Sequence, residues 1–183
     1  MDSWKGYKLD ELNHDEYVAL EREFRDGIRE WANDVIKDMI NKYTRFVPEL
    51  KNLSITEHEK IMQTIKKIGS RIYKALDDVD EYMPLWFDHY MKEEENENGV
   101  AYEYDVKFMV IVFFNNNYFD FVRKAFFNFE WLLQVYNEPS PPPKEEEGYY
   151  KPDLDELLDD YVNIYTDKLC EKFVKEYEID FGC

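Results

Sequence analysis

Val100-Ala101-Tyr102-Glu103-Tyr104-Asp105-Val106-Lys107-Phe108 is the stretch on which the fold turns. Val100, Tyr102, Tyr104, Val106 and Phe108 alternate with small or charged residues, the period of two that marks a half-buried strand. A longer window reads differently. Ala101, Tyr104, Phe108, Ile111, Asn115, Tyr118, Val122, Ala125, Phe129, Leu132 and Tyr136 keep three- and four-residue steps, with Asn115 alone polar on the seam. No second segment alternates convincingly enough to pair with a strand here, and a solitary strand would leave its backbone groups unpaired. The expectation is a long, mostly buried helix over 103–136 in an all-α protein without a sheet.

The flanking segments agree with a helical reading. Asn13-His14-Asp15-Glu16 supplies an N-cap with an acid three residues on, and Tyr17, Leu20, Phe24, Ile28, Trp31, Val35, Met39, Tyr43 and Phe46 then recur at helical spacing up to Pro48. That is a helix of about nine turns. Ser54-Ile55-Thr56-Glu57 opens a second, with Ile61, Ile65, Ile68, Ile72, Leu76 and Val79 on one face, and Pro84 is expected to kink or break it. Leu85-Trp86-Phe87 and Tyr90-Met91 form a short amphipathic piece after it. Residues 137–152, with Pro139, Pro141, Pro142 and Pro143 followed by Glu145, Glu146 and Glu147, read as a stiff, solvated linker inside one domain. Asp153-Leu154-Asp155-Glu156 starts the last helix, whose expected face is Leu157, Tyr161, Ile164, Leu169, Phe173 and Tyr177. The whole chain, 1–183, is read as one irregular bundle of about four long helices. Trp31, Phe108, Val122, Phe129, Leu132 and Tyr161 are its expected buried core.

Composition supports folding despite the charge. The 183 residues carry 41 Asp and Glu against 23 Lys and Arg, a formal charge of −18, yet 17% are aromatic, which supplies enough apolar surface to offset chain entropy. Residues 77–105 hold eleven acids and one base, and residues 145–183 hold thirteen acids and four bases, whereas 51–76 sums to +4. A field of that sign repels nucleic acid and anionic membranes and attracts basic proteins. The longest apolar run, Phe108 to Phe114, is far short of a membrane span, and the N-terminus lacks the pattern of a signal peptide, so a cytoplasmic location is expected. Cys170 and Cys183 are too few for a disulfide framework.

Chemical motifs are sparse. His14, His58 and His89 fall on different elements, and Glu11-Leu12-Asn13-His14 is half of the Glu-x-x-His pair that a two-metal bundle requires. Asp77-Asp78-Val79-Asp80 starts like a calcium loop, but Met83 and His89 stand where glycine and glutamate are needed, counting from Asp78. There is no G-x-S-x-G and no phosphate-cradling glycine loop. No metal, cofactor or catalytic residue is expected. Pro139-Ser140-Pro141-Pro142 has the spacing of a PxxP ligand, for which a plain linker is the simpler account.

The acidic segments remain as the candidate site: Asp77, Asp78, Asp80, Glu81, Asp88, Glu93, Glu94, Glu95 and Glu97 in the first, and Asp153, Asp155, Glu156, Asp159 and Asp160 in the second. Charge runs often do no more than solvate a helix face. The sharper reading is a docking surface for a basic protein. Helical residues 77–105 would span roughly 43 Å, where duplex DNA carries about 25 charges, so a DNA-like surface requires the two segments to lie side by side. Abundant Asn, Lys, Ile, Tyr and Phe with few Ala and Gly is similar to the output of AT-rich genomes, and small acidic helical proteins recur among phage or viral antagonists and bacterial immunity proteins. The expected function is a non-enzymatic inhibitor of a basic, nucleic-acid-handling protein. The alternatives are a helical enzyme with a carboxylate-lined site and an assembly protein that uses aromatic helix faces.

Overall fold

Asn13 and Ser54 start the first two helices by the same chemistry. Asn13 Oδ1 accepts the Glu16 amide at 2.8 Å while Glu16 Oε2 accepts the Asn13 amide at 3.0 Å, and Ser54 and Glu57 exchange the same two bonds at 3.2 and 3.4 Å. A computed structural model of the chain describes residues 13–85, 87, 110, 118–137 and 153–180. Helix α1 covers His14–Phe46 and runs into a 3-10 turn, Val47–Glu49, that contains Pro48. Helix α2 covers Ile55–Asp78, α3 covers Phe119–Asn137, and the last helix consists of α4, Leu154–Asp160, a π turn, Tyr161–Thr166, and α5, Asp167–Asp180. No strand occurs among the described residues, and the fold is all-α. Of the ambiguous segment 100–114 only Val110 is described; it is helical and buried.

Helix α2 is the hub, because it alone packs on all the others. Its row of Ile61, Ile65, Ile68, Ile72 and Leu76, continued by Val79, is fully buried, as the spacing predicts. Helix α1 runs antiparallel to it, with Arg25 and Arg29 beside Asp80 and Asp77 at one end and Ile36 and Ile40 against Gly69 further along. A Cβ on Gly69 would come within 2.9 Å of both isoleucines, so glycine here permits the close approach of the two helices. Helix α3 is also antiparallel to α2. Asn52, just before α2, donates to the Asn137 side chain at 3.1 Å and to its carbonyl at 2.6 Å, while Tyr118 at the other end donates to Ile72 O at 2.5 Å. The last helix runs parallel to α2 in constant register, shown by the pairs Lys60–Asp155, Arg71–Asp167 and Tyr82–Tyr177.

Aromatic side chains join α3 to the last helix. Phe121 stacks on Phe173 at 4.7 Å, Phe129 lies 4.9 Å from Tyr161, and the buried Tyr161 hydroxyl donates to Ala125 O. Such ring pairs contribute about 0.5–1.5 kcal/mol each beyond the area they bury.

Several expectations shift by a residue or a turn. Val122, Phe129 and Tyr161 are buried, but Trp31 and Leu132 are half-buried and Phe108 lies outside the described residues. On α1 the fully buried row continues from Phe24 and Ile28 through Ala32 and Ile36, because Ile36 fills the notch at Gly69; Trp31, Val35 and Met39 flank it. Helix α2 ends at Asp78, capped by Val79, not at Pro84: Asp80–Tyr82 form a 3-10 turn and residues 83–85 are helical again. Pro84 sits in that new turn, where a missing N–H costs little. Phe87 is buried beyond it, 5.3 Å from Phe24. The largest departure is Ile164, which is exposed while Val162 and Thr166 are buried. The i→i+5 turn admits an extra residue, which turns Ile164 outward, whereas Leu169, half-buried, and Phe173 and Tyr177, buried, lie on the expected face.

Candidate functional site

At the C-terminal end of α2 two of the acidic residues are held by α1. Asp77 accepts from Arg29 Nη1 at 2.8 Å, and Asp80 accepts from Arg29 Nη2 at 3.0 Å and from Arg25. Partial burial lowers the Arg29 pKa, but hydrogen bonds to Asp80 and Asp77 outweigh this and leave it raised. These carboxylates fasten α1 to α2. Asp78 and Glu81 are exposed and form no ion pair among the described residues. Asp78 lines a cleft of about 540 Å³ with Asp167, Glu171, Cys170, Val174 and Lys175 from α5.

The second acidic group lies at the other end of α2. Asp155 binds Lys60 at 2.9 Å, and Asp159 faces Lys66, Lys67, Ser70 and Arg71 across a cleft of about 440 Å³. Further along the seam Arg71 binds Asp167 and donates to Asn163 at 2.9 Å. The interval from residue 60 to residue 78 corresponds to about 27 Å of helix, so the candidate acids at 153–160 do not lie beside those at 77–81; of the second segment it is Asp167 and Glu171, further along, that share a cleft with Asp78. Parallel packing is the cause, since it brings the start of the last helix to the lysine-bearing start of α2. Asp153 is exposed near Lys60, whose pKa Asp155 and, less strongly, Asp153 raise, and Glu156 and Asp160 are exposed; Asp88, Glu93, Glu94, Glu95 and Glu97 lie outside the described residues.

A different surface was not anticipated. Phe127, Trp131 and Val135 recur every fourth residue on α3 and are 61%, 63% and 48% exposed, and Ile164 on the π turn is 49% exposed. Trp131 and Ile164 share a cleft of about 450 Å³ with Leu132, Leu157 and Tyr161, bordered by Asp160 and Lys168. In the sequence 118–136 is apolar on nearly every helical face, which is the signal that one face had to remain outside.

Among the described residues, groups suited to catalysis do not converge. His14 is exposed at the start of α1, His58 Nε2 is bonded to Leu50 O at 2.9 Å, and His89 and Glu11 lie outside the described residues. No group of three His, Cys, Asp or Glu that could hold a metal ion occurs among the described residues. Burial, aided by Asp167, pushes the Cys170 thiol up to about 11, which keeps it protonated and unreactive at neutral pH. No helix among the described residues is long and apolar enough to cross a membrane. No family model, curated protein or solved structure matches the chain.

Proposed function

We propose that the protein acts by binding, as a non-enzymatic acidic antagonist of a basic, nucleic-acid-handling protein. The observation that carries this reading is the convergence of Asp78 from α2 with Asp167 and Glu171 from α5 on one cleft, with Glu81 close by in the chain. Asp167 is already engaged by Arg71, and Lys175 shares the cleft, so Asp78, Glu81 and Glu171 are the carboxylates open to a partner's cations. The cleft also presents Val174, an apolar contact that a purely solvating surface would not need. A net charge of −18 steers a basic partner from a distance and excludes polyanions.

The test uses the partner captured from source-cell extract and then purified. Its binary affinity for the wild type and for a D78K/E81K/E171K variant is measured across a salt series. The expected result is steep weakening with salt and at least about a tenfold loss of association rate in the variant, with an unchanged circular dichroism spectrum. Equal, salt-independent binding by both proteins refutes the reading. The exposed Phe127 and Trp131 favour a second reading, an assembly role through aromatic faces.

A further inference from the structure

We infer that the outward face of the last helix is the contact surface of a two-fold homodimer, in which two copies of that helix pack antiparallel about Ile164. The seam facing α2 carries Asp155, Asp159, Asn163 and Asp167, and the side facing α3 carries Tyr161, Tyr165 and Leu169. Between them lie the exposed Glu156, Asp160, Ile164, Lys168 and Lys172, the last bordering the groove to α3. This row has a symmetry that a solvating face does not require. Asp160 and Lys168 stand four residues either side of Ile164, and Glu156 and Lys172 eight.

A two-fold axis through Ile164 therefore brings each of these acids of one copy to a lysine of the other, two pairs on each side of the axis. A basic partner meets repulsion along the lysine half and an acidic partner along the carboxylate half, whereas an antiparallel copy matches both. Among the described residues Glu156, Asp160 and Lys168 form no ion pair, and Lys172 makes only an exposed contact of 3.8 Å with Glu176. The centre of the face is apolar, because Ile164 shares its cleft with Trp131. A buried aromatic covers ~150–250 Å², so Trp131, at 63% exposure, leaves roughly 125 Å² in water. That is near a sixth of the ~800 Å² each partner contributes to a standard interface, and the row from Glu156 to Lys172, ~24 Å long, supplies the rest. This inference uses residues other than the acidic end of α2 and does not rest on the basic-partner reading.

Sedimentation equilibrium of the full chain at near-physiological salt is expected to show a reversible dimer. I164E, on a side chain already half in water, is expected to weaken it by at least about tenfold with an unchanged circular dichroism spectrum. E156K/D160K and K168E/K172E are each expected to be monomeric alone, and an equimolar mixture of the two to recover the dimer, since the reversed charges then match again. Recovery on mixing cannot come from a folding defect. A wild type that is monomeric at every concentration, a dimer indifferent to I164E, or charge variants that fail to restore each other would overturn the inference.

Discussion

Replacing Phe129 by alanine removes a ring that is fully buried in the middle of α3 and lies 4.9 Å from the Tyr161 ring. Truncations of this kind cost about 3–5 kcal/mol where the site cannot collapse. Collapse is hindered here, because Phe126 and Ala125 on the same helix are buried, and Tyr161 is anchored by its hydroxyl to Ala125 O. At roughly 2–4 °C per kcal/mol for a chain of this length, the melting temperature should fall by about 6–20 °C. Urea unfolding followed by circular dichroism measures the change directly, provided the slope stays that of the wild type. Phe127, two residues earlier, is 61% exposed, and its replacement by alanine should move stability by less than about 0.5 kcal/mol. An unchanged midpoint for Phe129→Ala, or equal losses for both variants, would show that the assigned face of α3 is wrong.

Asp80→Asn removes the charge that Arg25 and Arg29 share; it should cost on the order of 1 kcal/mol at low salt and less in high salt, measured by urea titration at two ionic strengths. Asn13→Ala dismantles the reciprocal cap of α1 and should cost about 1 kcal/mol, seen as a lower melting temperature. The Cys170 thiol, raised from 9.0 to about 11, binds its proton more tightly in the folded chain than in the unfolded one. Its contribution is complete below about pH 9 and is lost as pH rises toward 11, at no more than ~1.4 kcal/mol per pH unit; Cys170→Ala should flatten that part of the stability profile.

Local chemistry is what the sequence makes legible. Asn13 with Glu16, Ser54 with Glu57, and the isoleucine row of α2 each depend on residues within a few positions of one another, and each appears in the structure as the spacing implies. Non-local geometry decides the remainder. Ile36 is preferred over Val35 at the seam because Gly69, more than thirty residues away, leaves room for it. Ile164 faces water because a π turn intervenes, and an i→i+5 turn leaves no mark on a pattern read at 3.6 residues. Among the proposed site residues, Asp77, Asp80 and Asp155 are bound to Arg29, Arg25 and Lys60, a matching set by helix direction and register that composition alone does not encode. The basic character of 51–76 was the readable hint that acids elsewhere would find partners inside the molecule.

The constant register between α2 and the last helix has a temporal consequence during synthesis. Contacts on this side join residues about 95 apart in the chain, as Lys60 meets Asp155, Arg71 meets Asp167 and Tyr82, just past α2, meets Tyr177. At ribosomal rates of ~5–20 residues per second, that side of α2 emerges about 5–20 s before the helix that covers it. The antiparallel α1 is already made and shields the opposite side at once. The nascent chain therefore passes through an interval in which one hydrophobic flank is open to chaperones or to neighbouring chains, and the arrival of the last helix closes it.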